Sequence, residues 1–156
     1  MLPTVYIETT IPSYLTAWPS RDAMRAWHQQ ITREWWERRR ASFRLFTSPL
    51  ALDEVAVGDA TAARERLRVM QKLPLLEINE AVGTLTGHLL KAGGVPPKAA
   101  TDAAHLAVAT VHGMDYLLTW NCRHINNAEI LRAVAAICTR QGYAPPMVCT
   151  PEELMG

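Results

Sequence analysis

The stretch Val5-Tyr6-Ile7-Glu8-Thr9-Thr10 begins as a short apolar run and ends in an acid followed by two hydroxyl residues. Short, continuously apolar runs of this kind are typical of parallel strands that helices cover on both faces. Four later runs have the same character, so the sequence predicts a sheet of about five short strands. The predicted strands are Val5–Glu8, Arg44–Thr47, Leu75–Ile78, Tyr116–Thr119 and Met147–Thr150.

Longer segments with helical patterning fill the gaps between these runs. A turn or short helix is expected after Pro12, and Ser20 is expected to cap the long helix that follows. Glycines and prolines fall where the helices should end. The predicted helices are Asp22–Arg40, Pro49–Val57, Ala60–Gln71, Glu80–Ala92, Lys98–His112 and Ala128–Gln141. Strands that alternate with helices in this way predict an α/β fold with a mainly parallel sheet.

Length and composition fit one globular domain over residues 1–156, since the chain is 49% hydrophobic and 20% charged. The three cysteines form no CxxC and no zinc-like spacing, which argues against a disulfide framework or a structural zinc site. The N-terminal residues show no signal-peptide pattern, and the apolar run 103–114 is too short to cross a bilayer. We therefore expect a cytoplasmic protein with no membrane partner.

The net charge of +1 indicates no partner, but basic residues are concentrated early in the chain. Seven arginines and three acids lie between Arg21 and Arg44, a local charge of +4. Arginines and tryptophans there could contact the phosphates and bases of a nucleic acid. Trp27, Ile31 and Trp35 recur at helical spacing, however, which favours a face packed on the core or on another subunit.

Polar residues at the carboxyl ends of parallel strands are the first candidates for chemistry. Glu8 ends the first apolar run, where a carboxylate must be paired, protonated or bound to a cation unless it reaches solvent. Asn121 follows the fourth run and offers a neutral oxygen. Beside acidic side chains, such an oxygen suits a hard divalent cation.

Two further acids lie on predicted helices. Glu54 belongs to the segment that Ser48 caps, and taken alone an acid on a short helix is usually solvated. Asp102 lies early in an otherwise apolar helix, with His105 three residues later on the same side. An interaction with the helix dipole could by itself account for Asp102.

Taken in this order, these residues resemble the PIN domain family and, within it, the VapC-type toxins of bacterial toxin-antitoxin pairs. The resemblance covers nearly the whole chain and is strongest over Tyr6–Thr10, Ser48–Val55, Asp102–Ala107 and Asp115–Asn121. It implies a three-layer α/β/α sandwich around the parallel sheet. It also implies an acidic pocket that binds Mg²⁺ or Mn²⁺ and hydrolyses RNA phosphodiester bonds, with the metal activating water and neutralising charge on the phosphate.

The resemblance assigns a role to each candidate residue by its position. Glu8, Glu54 and Asp102 are the implied acidic metal ligands, and Asn121 is the implied fourth ligand. Thr10 matches a hydroxyl that lies near the first acid and orients a ligand or water. The implied partners are an RNA substrate, an antitoxin protein and a second copy of the chain.

Three positions depart from the family pattern, which usually opens with Asp where this chain has Glu8. Asn121 stands where many relatives carry Asp, and His124 lies near a further position that is often acidic. Fewer negative charges weaken the binding of a divalent cation. Two hypotheses therefore stay open, a metal-dependent ribonuclease toxin and a non-catalytic PIN-fold module that binds RNA or protein. A receiver- or phosphatase-like domain is disfavoured, because no DxD motif follows the first strand.

Overall fold

The sheet has four strands, all parallel, in a computed structural model that describes residues 1–156. Their bounds are Thr4–Ile7 (β1), Arg44–Phe46 (β2), Tyr116–Leu118 (β3) and Met147–Cys149 (β4). The spatial order is β2-β1-β3-β4. The predicted α/β fold with a parallel sheet is confirmed, and each of these four strands lies within one residue of its predicted bounds.

Seven α-helices connect the strands, and none of them has the length and apolar composition needed to span a bilayer. Short 3-10 turns follow α2 and precede α6, at Arg40–Ser42 and Pro97–Ala99. The helices are Thr10–Thr16 (α1), Ala23–Arg38 (α2), Pro49–Val55 (α3), Ala60–Met70 (α4), Glu80–Lys91 (α5), Ala100–Val111 (α6) and Ala128–Arg140 (α7).

Alternation along the strands divides the core between the two faces of the sheet. On β1, Val5 and Ile7 pack in a cluster with Trp35 of α2, whereas Tyr6 packs in a second cluster with Leu85 of α5 and Leu106 of α6. All six side chains are almost completely buried. Helices therefore cover the sheet on both sides, an arrangement compatible with three layers.

The direction in which successive strands are added to the sheet reverses at β1. The chain passes from β1 to β2 on one side and then returns across β1 to form β3 on the other side. Ile7 pairs with Leu118, so β1 and β3 end at the same level. In open α/β sheets the crevice beyond the carboxyl ends of the strands at such a reversal is where ligands bind.

The predicted fifth strand, Leu75–Ile78, is wrong. Only Leu75 pairs with the sheet, in an isolated parallel bridge to Thr47 beyond the end of β2. Leu75 and Ile78 are about half exposed, at 48% and 45%. The segment lies beyond β2 at the edge of the sheet, and only Leu76 of its residues is buried in the core, so the apolar run does not form a strand.

One local prediction in the α1–α2 region needs correction, and a second is confirmed for part of its residues. Asp22, not Ser20, caps α2, since its carboxylate accepts the Arg25 backbone N–H at 2.8 Å. Ser20 instead accepts the backbone N–H of Asp22 at 3.1 Å. On the predicted packing face of α2, Ile31 and Trp35 are buried, but Trp27 is 51% exposed.

Candidate functional site

Glu8, Glu54 and Asp102, which we call the acidic edge, lie around the carboxyl ends of the strands. Glu8 follows β1 directly and its backbone N–H donates to the Leu118 carbonyl of β3 at 3.2 Å. Asp102 lies in the first turn of α6, and Glu54 lies near the end of α3. The negative charges of Glu8 and Glu54 both raise the pKa of Asp102, so the three carboxylates are close enough to interact.

Glu8 is only 2% exposed, yet it has no cationic partner. Its Oε1 accepts the Thr10 backbone N–H at 3.0 Å, the Thr10 hydroxyl, and the Thr119 hydroxyl at 2.7 Å. Its Oε2 accepts the Thr9 hydroxyl at 2.9 Å. Neutral donors therefore satisfy a buried carboxylate whose charge no arginine or lysine balances.

Two of these hydroxyls are fixed in direction by the backbone. The Thr10 oxygen accepts the Trp120 N–H at 2.8 Å, and the Thr119 oxygen accepts the Asn121 N–H at 2.9 Å. Because each oxygen already accepts a hydrogen, its own proton is free to donate to Glu8. The loop after β3 thus holds the carboxylate that follows β1.

Glu54 is held from the interior of the protein by His105. The carboxylate contacts His105 Nε2, while His105 Nδ1 lies 2.7 Å from the hydroxyl of Tyr6. That hydroxyl also lies 2.7 Å from the Ser48 oxygen, which in turn accepts the Ala51 backbone N–H as the cap of α3. His105 and Ser48 are completely buried, and the Glu54 side chain remains 35% exposed.

These four groups have a consistent proton arrangement. Burial raises the pKa of Tyr6 above its ordinary value, and this effect outweighs the opposing hydrogen bond from Ser48, so the phenol stays protonated. Ser48 can donate to Tyr6, Tyr6 to His105 Nδ1, and His105 Nε2–H to Glu54. Glu54 is consequently oriented by a chain of hydrogen bonds that reaches the cap of its own helix.

Asp102 is held by two residues of the loop after β3. Its Oδ1 accepts the Asn121 side-chain N–H at 3.1 Å, and its Oδ2 lies 3.3 Å from His124 Nδ1. The Asn121 oxygen accepts the backbone N–H groups of His124 at 3.0 Å and Arg123 at 3.3 Å, which directs the amide nitrogen to Asp102. Burial is the largest cause of the raised pKa of Asp102, whereas His105 and His124 lower it.

The donor atoms of the acidic edge are of the kind that Mg²⁺ or Mn²⁺ prefers, because all three side chains offer carboxylate oxygens. No three His, Cys, Asp or Glu side chains converge closely enough to form a ready-made cage for a metal. Each carboxylate is instead held by its own partners. Asp102 and Glu54 keep 19% and 35% of their side chains exposed and are thus accessible from solvent.

No protein-family model matches this chain, and no curated protein gives a significant match. What the acidic edge does is therefore inferred from its own residues.

Several residues of this region were not predicted as part of the site. Thr119 contacts Glu8, and Tyr6 connects Ser48 to His105. The spacing of Asp102 and His105 predicts that both lie on one side of α6, but it does not show that His105 contacts Glu54. A tyrosine at the centre of a buried apolar strand is the signal that could have been used, because a buried phenol needs a hydrogen-bond partner.

Proposed function

We propose that this protein is a PIN-like, metal-dependent endoribonuclease that hydrolyses RNA phosphodiester bonds with Mg²⁺ or Mn²⁺ at the acidic edge. One observation carries the proposal. Three interacting carboxylates lie where the strand order reverses, and their only ionic partners are the histidines His105 and His124. Negative charge gathered without arginine or lysine is costly, and a divalent cation would relieve that cost.

The exposed oxygens fit the way in which Mg²⁺ is usually bound. Mg²⁺ keeps several waters and commonly takes one or two carboxylates together with substrate phosphate, so it needs no cage of three protein ligands. Asp102 and Glu54 are accessible for this purpose, and Glu8 carries only one hydrogen bond on its Oε2. When bound, the ion would activate water and neutralise charge on the phosphate.

The remaining residues act by positioning these acids. Thr10 and Thr119 hold Glu8 in one orientation, and His105 does the same for Glu54. Asn121 presents its nitrogen to Asp102 and its oxygen to the backbone, so we assign it to positioning Asp102 and not to a fourth ligand position. Removal of such supporting groups typically costs 10–100-fold in metal affinity or activity.

The proposal includes the biological setting of a VapC-type toxin, with an antitoxin and a second copy of the chain as protein partners. Support comes from large apolar side chains exposed around the start of α2. Trp18 is 92% exposed, Met24 69% and Trp27 51%. Neighbouring exposed apolar groups of this size are typical of surfaces that bind another protein.

The test is cleavage of pooled structured RNAs with Mn²⁺ by the wild type, by Asp102→Asn and by Asp53→Asn. Asp53 is exposed next to Glu54, so its variant removes the same charge outside the acidic edge. We expect Asp102→Asn to lose more than about a hundredfold in rate, beyond the loss typical of a supporting residue. Equal rates for all three proteins would contradict the proposal.

A non-catalytic PIN-fold module that binds RNA or protein is the second candidate. It is favoured by the absence of a three-residue metal cluster and by the histidine partners of Glu54 and Asp102. This module would bind RNA equally well with and without Mn²⁺ and would leave the RNA uncut. The same assay, followed by a binding measurement in chelator, separates the two functions.

A further inference from the structure

Two adjoining cavities lie beside the acidic edge at Glu54. The first cavity, about 410 Å³, is lined by Glu54, Ser13 and Arg66 among others. The second cavity, about 330 Å³, is lined by Ser13, Tyr14, Arg25 and Arg66. The two cavities share Ser13 and Arg66 and therefore adjoin beside α1; we call the two together the arginine groove.

Arg66 presents a fixed positive charge to this groove. Its Nε donates to the Val55 carbonyl at 3.1 Å and its Nη2 donates to the Val57 carbonyl at 2.7 Å, which anchors the guanidinium at the end of α3. The ion pairs of the protein involve Arg68, His105 and His124, so no carboxylate neutralises Arg66. Its Nη1 donors remain available to a ligand.

Arg25 supplies a second unpaired charge further along the groove. It is exposed in the first turn of α2, where the helix dipole disfavours a cation. No carboxylate pairs with it. Its guanidinium is therefore free to meet the negative charge of a ligand in the second cavity.

The lining of the groove identifies the class of ligand. Two unpaired guanidinium groups suit phosphate oxygens, which they bind with charge-assisted hydrogen bonds. Tyr14 also lines the second cavity, and its ring packs edge-on against His28 and Trp120. Bases stack on aromatic rings only when they are unpaired, so this combination suits a single strand better than a duplex.

The geometry points to the arginine groove as the binding track for the backbone of single-stranded RNA, with Arg66 and Arg25 contacting phosphates beside the nucleotide at the acidic edge. This inference rests on the proposed function for its choice of RNA. An acidic protein segment is the competing occupant, since it would also pair with two arginines.

The experiment measures the affinity of a labelled single-stranded oligouridylate in EDTA, at several salt concentrations. Arg25→Gln is the main variant because Arg25 is exposed, while Arg66→Lys keeps the charge but loses the two-carbonyl anchor. Arg64→Gln on α4 and Arg132→Gln on α7 are matched controls, both exposed and outside the groove. Melting temperatures confirm that each variant is folded.

We expect Arg25→Gln to reduce the slope of log affinity against log salt by about 0.7, as for one lost phosphate contact on a single strand. At 0.1 M salt this slope change corresponds to about a fivefold loss of affinity. Arg64→Gln and Arg132→Gln should retain the wild-type slope. Wild-type affinity and slope in Arg25→Gln, or no binding by the wild type, would overturn the inference.

Two further measurements distinguish this inference from the proposed function and from binding of an acidic protein segment. Asp102→Asn in EDTA should bind the oligonucleotide as well as the wild type, because the groove does not depend on Asp102. Dependence of binding on Arg25 without any cleavage would support the groove and contradict the ribonuclease. Displacement of the oligonucleotide by polyglutamate at equal charge concentration would assign the groove to an acidic protein segment and overturn the RNA assignment.

Discussion

The Thr119 hydroxyl lies 2.7 Å from the Glu8 carboxylate and connects the ends of β3 and β1, the two strands between which the strand order reverses. The two residues are 111 positions apart in sequence, and both are buried. A buried carboxylate is tolerated when hydrogen bonds replace water around it. This contact therefore places a negative charge in the crevice while keeping the fold intact.

Replacement of Thr119 by valine should destabilise the protein. The change keeps the shape of the side chain but removes the hydroxyl that donates to Glu8 and accepts from the Asn121 backbone N–H. Hydrogen bonds to charged groups contribute about 1.5–3 kcal/mol, and we expect a loss in that range in the free energy of unfolding. Urea denaturation monitored by tryptophan fluorescence measures it.

Thr110→Val is the matched control for that change. Thr110 is equally buried, but its hydroxyl donates to the Leu106 carbonyl within α6, a contact that the helix does not need. Its replacement should cost less than about 1 kcal/mol. If the two valine variants were equally stable, the contact between Thr119 and Glu8 would contribute nothing specific.

Most of the fold followed from the sequence because its elements are determined locally. Tyr116–Leu118 is a strand because a short apolar run follows the glycine turn at Gly113, and Ala100–Val111 is a helix because small and apolar residues continue over three turns. Leu75–Ile78 has the same local character as a strand and is not one. What decides that segment is its place at the open edge of the sheet, which depends on the tertiary structure.

The candidate site likewise contains features that local sequence determines and features that depend on the tertiary structure. The positions of Glu8, Asp102 and Asn121 in the fold could be predicted, because strand ends and helix starts can be located from the sequence pattern. The contact of Glu54 with His105 joins residues 51 positions apart, and no local pattern contains it. Likewise, the orientation of the Asn121 amide follows from two backbone N–H groups whose direction is set only by the folded loop.

Tyr6→Phe should destabilise the fold and loosen Glu54. The change removes the hydroxyl that contacts both His105 Nδ1 and Ser48, and it leaves both buried groups without that partner. We expect a loss of about 1–3 kcal/mol in the free energy of unfolding. Tyr116→Phe is the control, since Tyr116 is half-buried in the neighbouring strand and packs edge-on against Phe43. Equal stability of the two variants would show that the hydrogen bonds of the Tyr6 hydroxyl to His105 and Ser48 contribute nothing to the free energy of unfolding.

The raised pKa of Asp102 makes the stability of the protein depend on pH in a defined direction. Between the ordinary pKa of 3.8 and the raised value, native Asp102 retains a proton that the unfolded chain has lost. The contribution of Asp102 to the free energy of unfolding therefore decreases as pH rises through this window and stays low above it. Burial is the main cause, so the effect belongs to the folded state.

Asp102→Asn isolates this effect because the amide does not titrate. The free energy of unfolding of the wild type minus that of the variant should fall as pH rises through the window and then become constant. Chemical denaturation from about pH 3 to about pH 8 measures the difference. Asp53→Asn, which changes an exposed carboxylate, should show no such fall. A rising difference for Asp102→Asn would mean that its carboxylate is stabilised in the fold.

Buried and exposed cysteines should differ in reactivity. Burial raises the pKa of Cys149 to about 12, and it also raises the pKa of the buried Cys138. Burial and the charge of Glu153 also raise the pKa of Cys122, but that thiol is exposed to a reagent, whereas Cys138 and Cys149 are both protonated and buried. Titration of the native protein with a thiol reagent should detect Cys122 alone, and all three cysteines should react after denaturation. Rapid reaction of more than one native thiol would contradict the packing of β4 and α7.

Glu8→Gln separates the structural role of Glu8 from its proposed role in metal binding. The glutamine oxygen can still accept the three hydrogen bonds that reach Oε1 from Thr10 and Thr119, and the Thr9 hydroxyl can rotate to accept from the new amide. The stability of the variant should therefore remain within about 1 kcal/mol of the wild type. The negative charge that attracts a divalent cation is nevertheless removed.

Thermal unfolding with increasing Mn²⁺ tests this prediction directly. A cation that binds only the native state raises the melting temperature, so the wild type should show a rise that depends on Mn²⁺ concentration. Glu8→Gln should show a much smaller rise, and Asp53→Asn should match the wild type. If Glu8→Gln failed to fold, the negative charge of Glu8 would have a structural role alone. A full Mn²⁺ response would remove Glu8 from the metal site, because a ligand cannot lose its charge without weakening the binding of a divalent cation.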